Sequence, residues 1–482
     1  MVASSVGLLA LLLHAPQGPE PLALGSRREL FVDRALIESM VDVRLEQAVP
    51  RDEGEVFRFD RPWEGPFCGY ATVIDGPDGY MLYYRGLPTA GGDGSDQETA
   101  CVAVSADGLT WERPALEFFE VRGTATNNVV LADAAPVTHN FSPFLDSRAG
   151  VDSAERFKAL GGNHESGLIA YVSPDGLAWT RLQDEPVFRE GIFDSQNVAF
   201  WSEAEQCYLC YFRTWTGEGY SGIRTVSRTT SPDFRQWTEP VEMSFGEAPM
   251  EHLYTNQTHA YFRAPHLYVG IAARFMPGRQ VLNDEQAGAL GVNPRYFRDC
   301  SDAVLLTSRG GSVYDRTFLE GFVRPGIGLQ NWVSRSNYPA LNIVQTGPAE
   351  MSFYVNQNYA QPTASLHRYS LRLDGLASVR AGHKGGELTT RPLTFAGTKL
   401  LLNFATSAAG GVRVEVQDVD GQPLPGFQID QSVELIGNEI EREVRWRRAD
   451  GNYSDLGAIE GQPVRLRFRL VDADLYAMRF GR

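Results

Sequence analysis

One seven-residue pattern, Ser-x-Asp-x-x-x-Trp, occurs three times: Ser105-Ala-Asp107-Gly-Leu-Thr-Trp111, Ser173-Pro-Asp175-Gly-Leu-Ala-Trp179 and Ser231-Pro-Asp233-Phe-Arg-Gln-Trp237. Their starts lie 68 and 58 residues apart. Repeats at such spacing belong to propellers and solenoids, where each unit buries its apolar face on the next. Each copy follows a β-rich run: CVAVS, GLIAYVS and GIRTVSRTTS. Asp and Gly supply turn chemistry and the Trp packs back on the sheet, so the motif closes a hairpin at the outer edge of a blade. A degenerate fourth copy, Ser308-Arg-Gly-Gly-Ser-Val-Tyr314-Asp315, follows AVLLTS, and a fifth β unit contains MSFYVN and LHRYSLRL.

Blade interiors repeat too, as YMLYYR (Tyr80–Arg85), YLCYFR (Tyr208–Arg213) and LYVGIA (Leu267–Ala272). With long amphipathic helices absent, the expectation is an all-β chain, a five-bladed β-propeller of four-stranded meanders followed by a β-sandwich. The five units are expected to begin near Trp63, His139, Asp194, Tyr254 and Glu350, each innermost strand first. After the Gly-rich stretch 382–386 the texture shifts to KLLLNF, VRVEV and VRLRFRL, with turns at Asp420-Gly421 and Asp450-Gly451, which predicts the sandwich. The expected division is a leader over 1–25, the propeller with an N-terminal strand over 26–384 and the sandwich over 385–482.

Composition narrows the partner. A count of 60 Asp+Glu against 44 Lys+Arg gives −16 over 482 residues, which repels phosphate backbones and argues against a nucleic-acid partner. Only three of the basic residues are lysine (Lys158, Lys384, Lys399), so each arginine needs a local reading. The apolar run Val6–Ala15 has the length of a signal-peptide core and is too short to span a bilayer, so a secreted or periplasmic location is expected and no membrane span. The five cysteines imply no disulfide framework, and Cys207 and Cys210 lie on a strand with opposite facing. The eight histidines form no H-x-x-x-H pair, and His252 and His259 are seven apart, so no metal site is expected. No phosphate loop, dinucleotide fingerprint or serine elbow stands in a suitable setting, so no cofactor is implied.

The blade count, the turn motif and the trailing sandwich resemble the five-bladed propeller glycoside hydrolases, the superfamily of families 32, 43, 62 and 68. Leu30-Phe-Val-Asp33, Ser308-Arg309, Phe322-Val-Arg324-Pro-Gly326, Asn331-Trp332, Arg368–Gly375 and Asp472–Tyr476 resemble more closely the uncharacterised, exported glycosyl-hydrolase-like proteins frequent in planctomycete-type genomes. The resemblance implies an exported enzyme cleaving glycosidic bonds of a poly- or oligosaccharide. The alternative is a non-catalytic carbohydrate-binding or scaffolding protein on the same fold. By analogy alone, a structural Ca²⁺ would sit in the channel. The Trp-Met-Asn-Asp-Pro-Asn-type first-blade motif of families 32 and 68 is absent, as are its Arg-Asp-Pro and Glu-Cys companions, so their catalytic roles do not transfer.

Glycoside hydrolysis needs two carboxyl groups across the scissile bond. In a propeller the funnel is lined by the starts of the innermost strands, which selects Asp194, Glu251 and Glu350, with Glu251 the candidate proton donor beside His252. Glu64 is the first-blade carboxylate, and Trp63 is placed to stack on a sugar ring. His139, Asn140, His164, Asn197, Tyr254, Asn256 and Arg274 are candidates to position hydroxyls. Arg324 and Arg335, the latter near Trp332, are candidates for an anionic substituent.

Overall fold

The computed structural model describes residues 20–91 and 93–482; the leader candidate at 6–15 lies outside them. Two compact units emerge, one of residues 30–33 and 45–378, the other of the remaining N-terminal residues with 379–482.

The larger unit is the five-bladed propeller. Blade 1 runs Gly69–Gly76, Gly79–Gly86, Thr99–Ser105 and Val129–Leu131 from axis to rim, each strand antiparallel to the last. Blade 2 begins at Ser142–Leu145 and blade 3 at Val198–Ser202, both continuing as four-stranded meanders. Blade 4 has a broken inner strand, Leu253–Thr255 and Thr258–Tyr261, then Ala264–Met276 and Cys300–Ser308. Blade 5 differs from the sequence expectation. Its inner strand is Tyr338–Pro339 plus Val344–Gly347, and Glu350 opens the second strand, Glu350–Gln357. The break, with Asn342 at φ 79°, erased the alternation that would have marked the inner strand. The rim strand of this blade comes from the other end of the chain: Arg51–Arg58 pairs with Ser365–Arg372 and closes the ring.

The repeated turn does more than close hairpins. In every copy the Ser hydroxyl accepts the backbone N–H three residues on, and one Asp oxygen accepts two further N–H groups, as at Ser105 and Asp107. The third turn residue is left-handed, Gly108 and Gly176 in two copies and Phe234 (φ 66°) in the third. In the first two copies its carbonyl anchors the preceding blade. Tyr354 of blade 5 donates to Gly108 O at 2.5 Å, and Tyr83 of blade 1 donates to Gly176 O at 2.8 Å. Apolar clusters fill the gaps, Tyr83, Phe141 and Tyr171 between blades 1 and 2, for example. All five cysteines are free thiols, and burial raises the Cys210 thiol.

His259 ties blade 4 to blade 5: Nδ1 meets Gln257 O at 3.0 Å and Nε2 accepts the Ile343 N–H at 3.3 Å. Burial pulls its pKa from 6.5 down to about 4, overriding the opposing Gln257 hydrogen bond. The unfolded chain therefore takes up this proton at a higher pH than the folded one. The stabilisation is complete above pH 6.5 and is lost as pH falls toward 4, at about 1.4 kcal/mol per pH unit and about 3 kcal/mol in all. We expect a shallower acid slope of the unfolding free energy in His259→Gln than in wild type; parallel slopes would overturn the assignment.

The smaller unit is β throughout. Its antiparallel order is Ile37–Val41, Gly386–Thr390, Arg465–Gly481, Lys399–Gln417, Asn438–Glu443. Leu466, Phe468 and Leu470 point inward with Leu402, Phe404, Val414 and Trp446, and the nearly closed sheet fits the expected sandwich. KLLLNF and VRVEV are one strand with a register shift at Thr406–Gly411, where small residues imitate a turn. Residues 37–41, expected with the propeller, pair here instead, because Gly386–Thr390 supplies their hydrogen-bonding partner.

Candidate functional site

In an antiparallel meander the inner strand starts, and the second strand ends, at the same end of the blade. The rim of the funnel is therefore built from inner-strand entrances together with the loops between second and third strands. Here those loops are 87–98, 164–166, 216–223, 277–299 and 358–364. At this end lies a small cavity of about 20 Å³, lined by Tyr70, Arg85, Tyr254, Gln257, Arg335, Tyr338, Asn356 and Tyr359.

Arginines at the ends of second strands define its charge. Arg85 and Arg213 terminate the YMLYYR and YLCYFR repeats, each 5% exposed or less. Arg85 donates to Phe67 O at 2.9 Å, lies 4.9 Å from the Tyr70 ring and stands 3.9 Å from Glu98. Arg213 holds Asp194 Oδ1 through Nε at 2.9 Å and a terminal nitrogen at 2.5 Å. Its guanidinium also lies 4.3 Å from the Tyr254 ring centroid. Arg224, on the third strand of blade 3, and Arg335, from the loop before blade 5, approach that same ring at 5.3 and 5.4 Å. Burial alone would raise the Tyr254 phenol, but Arg335 and Arg213 outweigh it and lower its pKa below the ordinary value. Tyr70 and Tyr338, partly buried beside it, are raised, chiefly by desolvation.

Backbone strain concentrates here. Tyr70 (φ 51°), Phe193 (φ 56°), Gln257 (φ 51°) and Arg335 (φ 64°) are left-handed without being glycine, a conformation that persists only where surrounding contacts impose it. Phe193 turns the chain so that Asp194 faces the funnel ahead of the blade 3 inner strand. Asp194 is 22% exposed, and its Oδ2 has no hydrogen-bond partner among the described residues. Of the three carboxylates selected from the sequence, this one stands at the funnel.

The other two stand elsewhere. Glu251 is clamped between Arg274 and Arg316, each at 2.8 Å, with Arg274 also bound to Asp302. It lines a separate cleft of blade 4 together with Arg274, Arg324 and Trp332. Glu350, at the start of a second strand, lies at the end of blade 5 away from the funnel, bound to Arg368 at 2.8 Å. Glu64 is fully buried, accepting from Tyr84, Arg113 and the Arg61 N–H, and Trp63 is in the core with Nε1 donating to Asn128. Asn140 is a clamp between blades, donating to Phe193 O and Ser195 O, and Asn256 caps its own turn through Thr258 N. Asn197 is buried beneath Asp194, bonded to Phe193 O at 3.3 Å. His164 is exposed on a rim hairpin against Tyr220.

His139 does reach the site, and Glu98 and Asp93 of the blade 1 loop join it; their ligand-type atoms all lie within 4.8 Å of one another. Its Nδ1 is 2.9 Å from Glu98 Oε1, but also 3.1 Å from Arg85 and 3.3 Å from the Gly94 N–H. The arginine cation already matches the Glu98 carboxylate, while His139 Nε2 is buried without a partner. Deeper along the axis, Gln196 donates to Thr72 Oγ1 and accepts from Gln257, each at 2.8 Å. This neutral girdle offers no carboxylate and does not fit the Ca²⁺ suggested by analogy.

Arg85, Arg213 and Arg224 are not among the residues singled out from the sequence, most of which stand ahead of inner strands. The signal was present in the arginine that ends two of the repeated second strands.

Compared with known proteins, the chain matches no protein-family model and no curated protein. Solved structures similar to it include an N-acetylgalactosamine deacetylase from F. plautii in complex with blood group B trisaccharide, at 13% identity over 69% of this chain and 96% of that one, TM-score 0.44. A family 32 β-fructofuranosidase from Bombyx mori is 10% identical over 89% and 94%, TM-score 0.43. A β-1,2-mannobiose phosphorylase from Listeria innocua, in complex with β-1,2-mannobiose, is 8% identical over 68% and 97%, TM-score 0.41.

Proposed function

We propose that this chain is an exported glycoside hydrolase that cleaves glycosidic bonds of a poly- or oligosaccharide at the propeller funnel. The observation that carries the reading is Asp194, held by Arg213 ahead of the blade 3 inner strand with one oxygen unbonded, at the same end of the propeller as Asp93 in the blade 1 loop. Hydrolysis needs such a pair, one group to protonate the leaving oxygen and one to attack or to activate water. Asp194, oriented by Arg213 through one oxygen with the other unbonded, suits the second task, which leaves Asp93 as the candidate for the first. Tyr70 and Tyr338 offer ring faces to the sugar.

A second reading, a sugar-binding propeller without turnover, is favoured by the removal of Glu251 and Glu350 from the funnel. Release of reducing ends from a panel of neutral and acidic oligosaccharides separates the two. Product formation is the expected result, and binding without product would replace the hydrolase with the binding protein. No helix among the described residues is long and apolar enough to cross a membrane.

A further inference from the structure

Four arginines approach the rings of Tyr70 and Tyr254, Arg85 and Arg335 lining the cavity itself, and two of the four have carboxylate partners, Arg213 with Asp194 and Arg85 with Glu98. Arg224 and Arg335 have none among the described residues. What holds them is chiefly aromatic, apart from a 3.4 Å hydrogen bond between one terminal nitrogen of Arg224 and His252 Nδ1. Arg224 lies 4.3 Å from the Trp215 ring centroid, 4.9 Å from Phe275 and 5.3 Å from Tyr254. Arg335 lies 5.1 Å from Tyr296 and 5.4 Å from Tyr254. Ring faces fix a guanidinium in place without neutralising it, so its donor edge is left for a ligand. The surroundings fit this. Arg224 Nε, Trp215 Nε1 and Thr255 Oγ1 are all buried without a protein partner, whereas buried polar groups are ordinarily paired. Burial and the neighbouring Arg213 charge both depress the pKa of Arg224, the mark of a cation that gains from a counter-ion. In a chain with a net charge of −16, two adjacent guanidinia without carboxylates do not follow from the overall charge.

We propose that Arg224 and Arg335 grip an oxyanion borne by the sugar, a uronate carboxylate or a sulfate ester, and hold it beside Tyr254. This rests on the carbohydrate reading above and specifies the substrate class of that site. A planar fork donates two parallel hydrogen bonds to such a group, and a half-buried setting strengthens each of them.

The test is calorimetric binding of two ligand pairs to the full chain: an oligogalacturonate with its methyl ester, and a sulfated galactan oligosaccharide with its desulfated form. At least one charged member is expected to bind tenfold or more tighter than its neutral twin, and which one does so identifies the oxyanion. Arg224→Gln and Arg335→Gln are each expected to weaken that binding about 10- to 100-fold, the range for hydrogen bonds to charged groups, and to leave the neutral twin unchanged. Equal binding within both pairs, or a preference that survives both substitutions, overturns the proposal. The wild-type comparison needs no variant and stands if either one misfolds. Arginine-dependent binding without product would sink the hydrolase reading and keep this one. Cleavage indifferent to charge would do the reverse.

Discussion

Replacing Asp194 by asparagine is expected to lower kcat by about 10²- to 10⁴-fold on any substrate that the wild type cleaves, the range for a positioned proton-transfer or attacking group. The substitution keeps the volume and the Oδ1 acceptor that Arg213 holds at 2.9 Å, so the rim should retain its shape. What it removes is the nucleophilic or basic oxygen at Oδ2. Glu350→Gln serves as the control, since that side chain pairs with Arg368 at the far end of blade 5 and should leave turnover unchanged. A kcat for Asp194→Asn within threefold of wild type, with the fold intact by circular dichroism, would remove Asp194 from the chemistry. The measurement is initial rates at saturating substrate, because a change confined to KM would signify binding alone.

Glu64→Ala is expected to cost about 3–5 kcal/mol of folding free energy, the usual penalty for removing one partner of a buried ion pair. Its carboxylate is fully buried, with Arg113 Nε at 2.7 Å, a second Arg113 nitrogen at 2.8 Å, the Tyr84 hydroxyl at 2.5 Å and the Arg61 N–H at 3.1 Å. Alanine takes this acceptor from all four donors, of which only the terminal Arg113 nitrogen keeps another, Arg58 O. The position matters beyond the local cost. Arg113 also donates to Arg58 O and lies 4.1 Å from the Phe57 ring, both on the strand that closes the propeller. Glu64 thus braces the seam where the two ends of the propeller meet. Against a total stability of about 5–15 kcal/mol the loss should appear as a large drop in the urea midpoint. Glu64→Gln, which keeps an acceptor oxygen, should fall between wild type and alanine. A cost below about 1 kcal/mol for alanine would show that the seam does not depend on this carboxylate.

Glu64 also illustrates what one-dimensional reading misses. Beside Trp63 and ahead of a strand it has the local pattern of a funnel carboxylate. Its fate is set by Arg113 and Tyr84, 49 and 20 residues away. Glu251 is similar, because Arg316, 65 residues on, turns it into one arm of an ion-pair lattice. Asp194, by contrast, is placed by a local device, the left-handed Phe193 and the strand that follows.

The sequence by itself determined the architecture. The Ser-x-Asp-x-x-x-Trp turns, the alternating strands and the change of texture near residue 382 are short-range patterns, and short-range patterns dictate turns, strands and blade count. Only the tertiary structure decided which blade the strand at 51–58 completes, which unit residues 37–41 join, and which charged groups share the pocket. Strand partners and ion pairs are chosen by contacts across hundreds of residues. Arg85, Arg213, Arg224 and Arg335 become one site only because ring closure brings blades 1, 3 and 5 around Tyr254 and Tyr70.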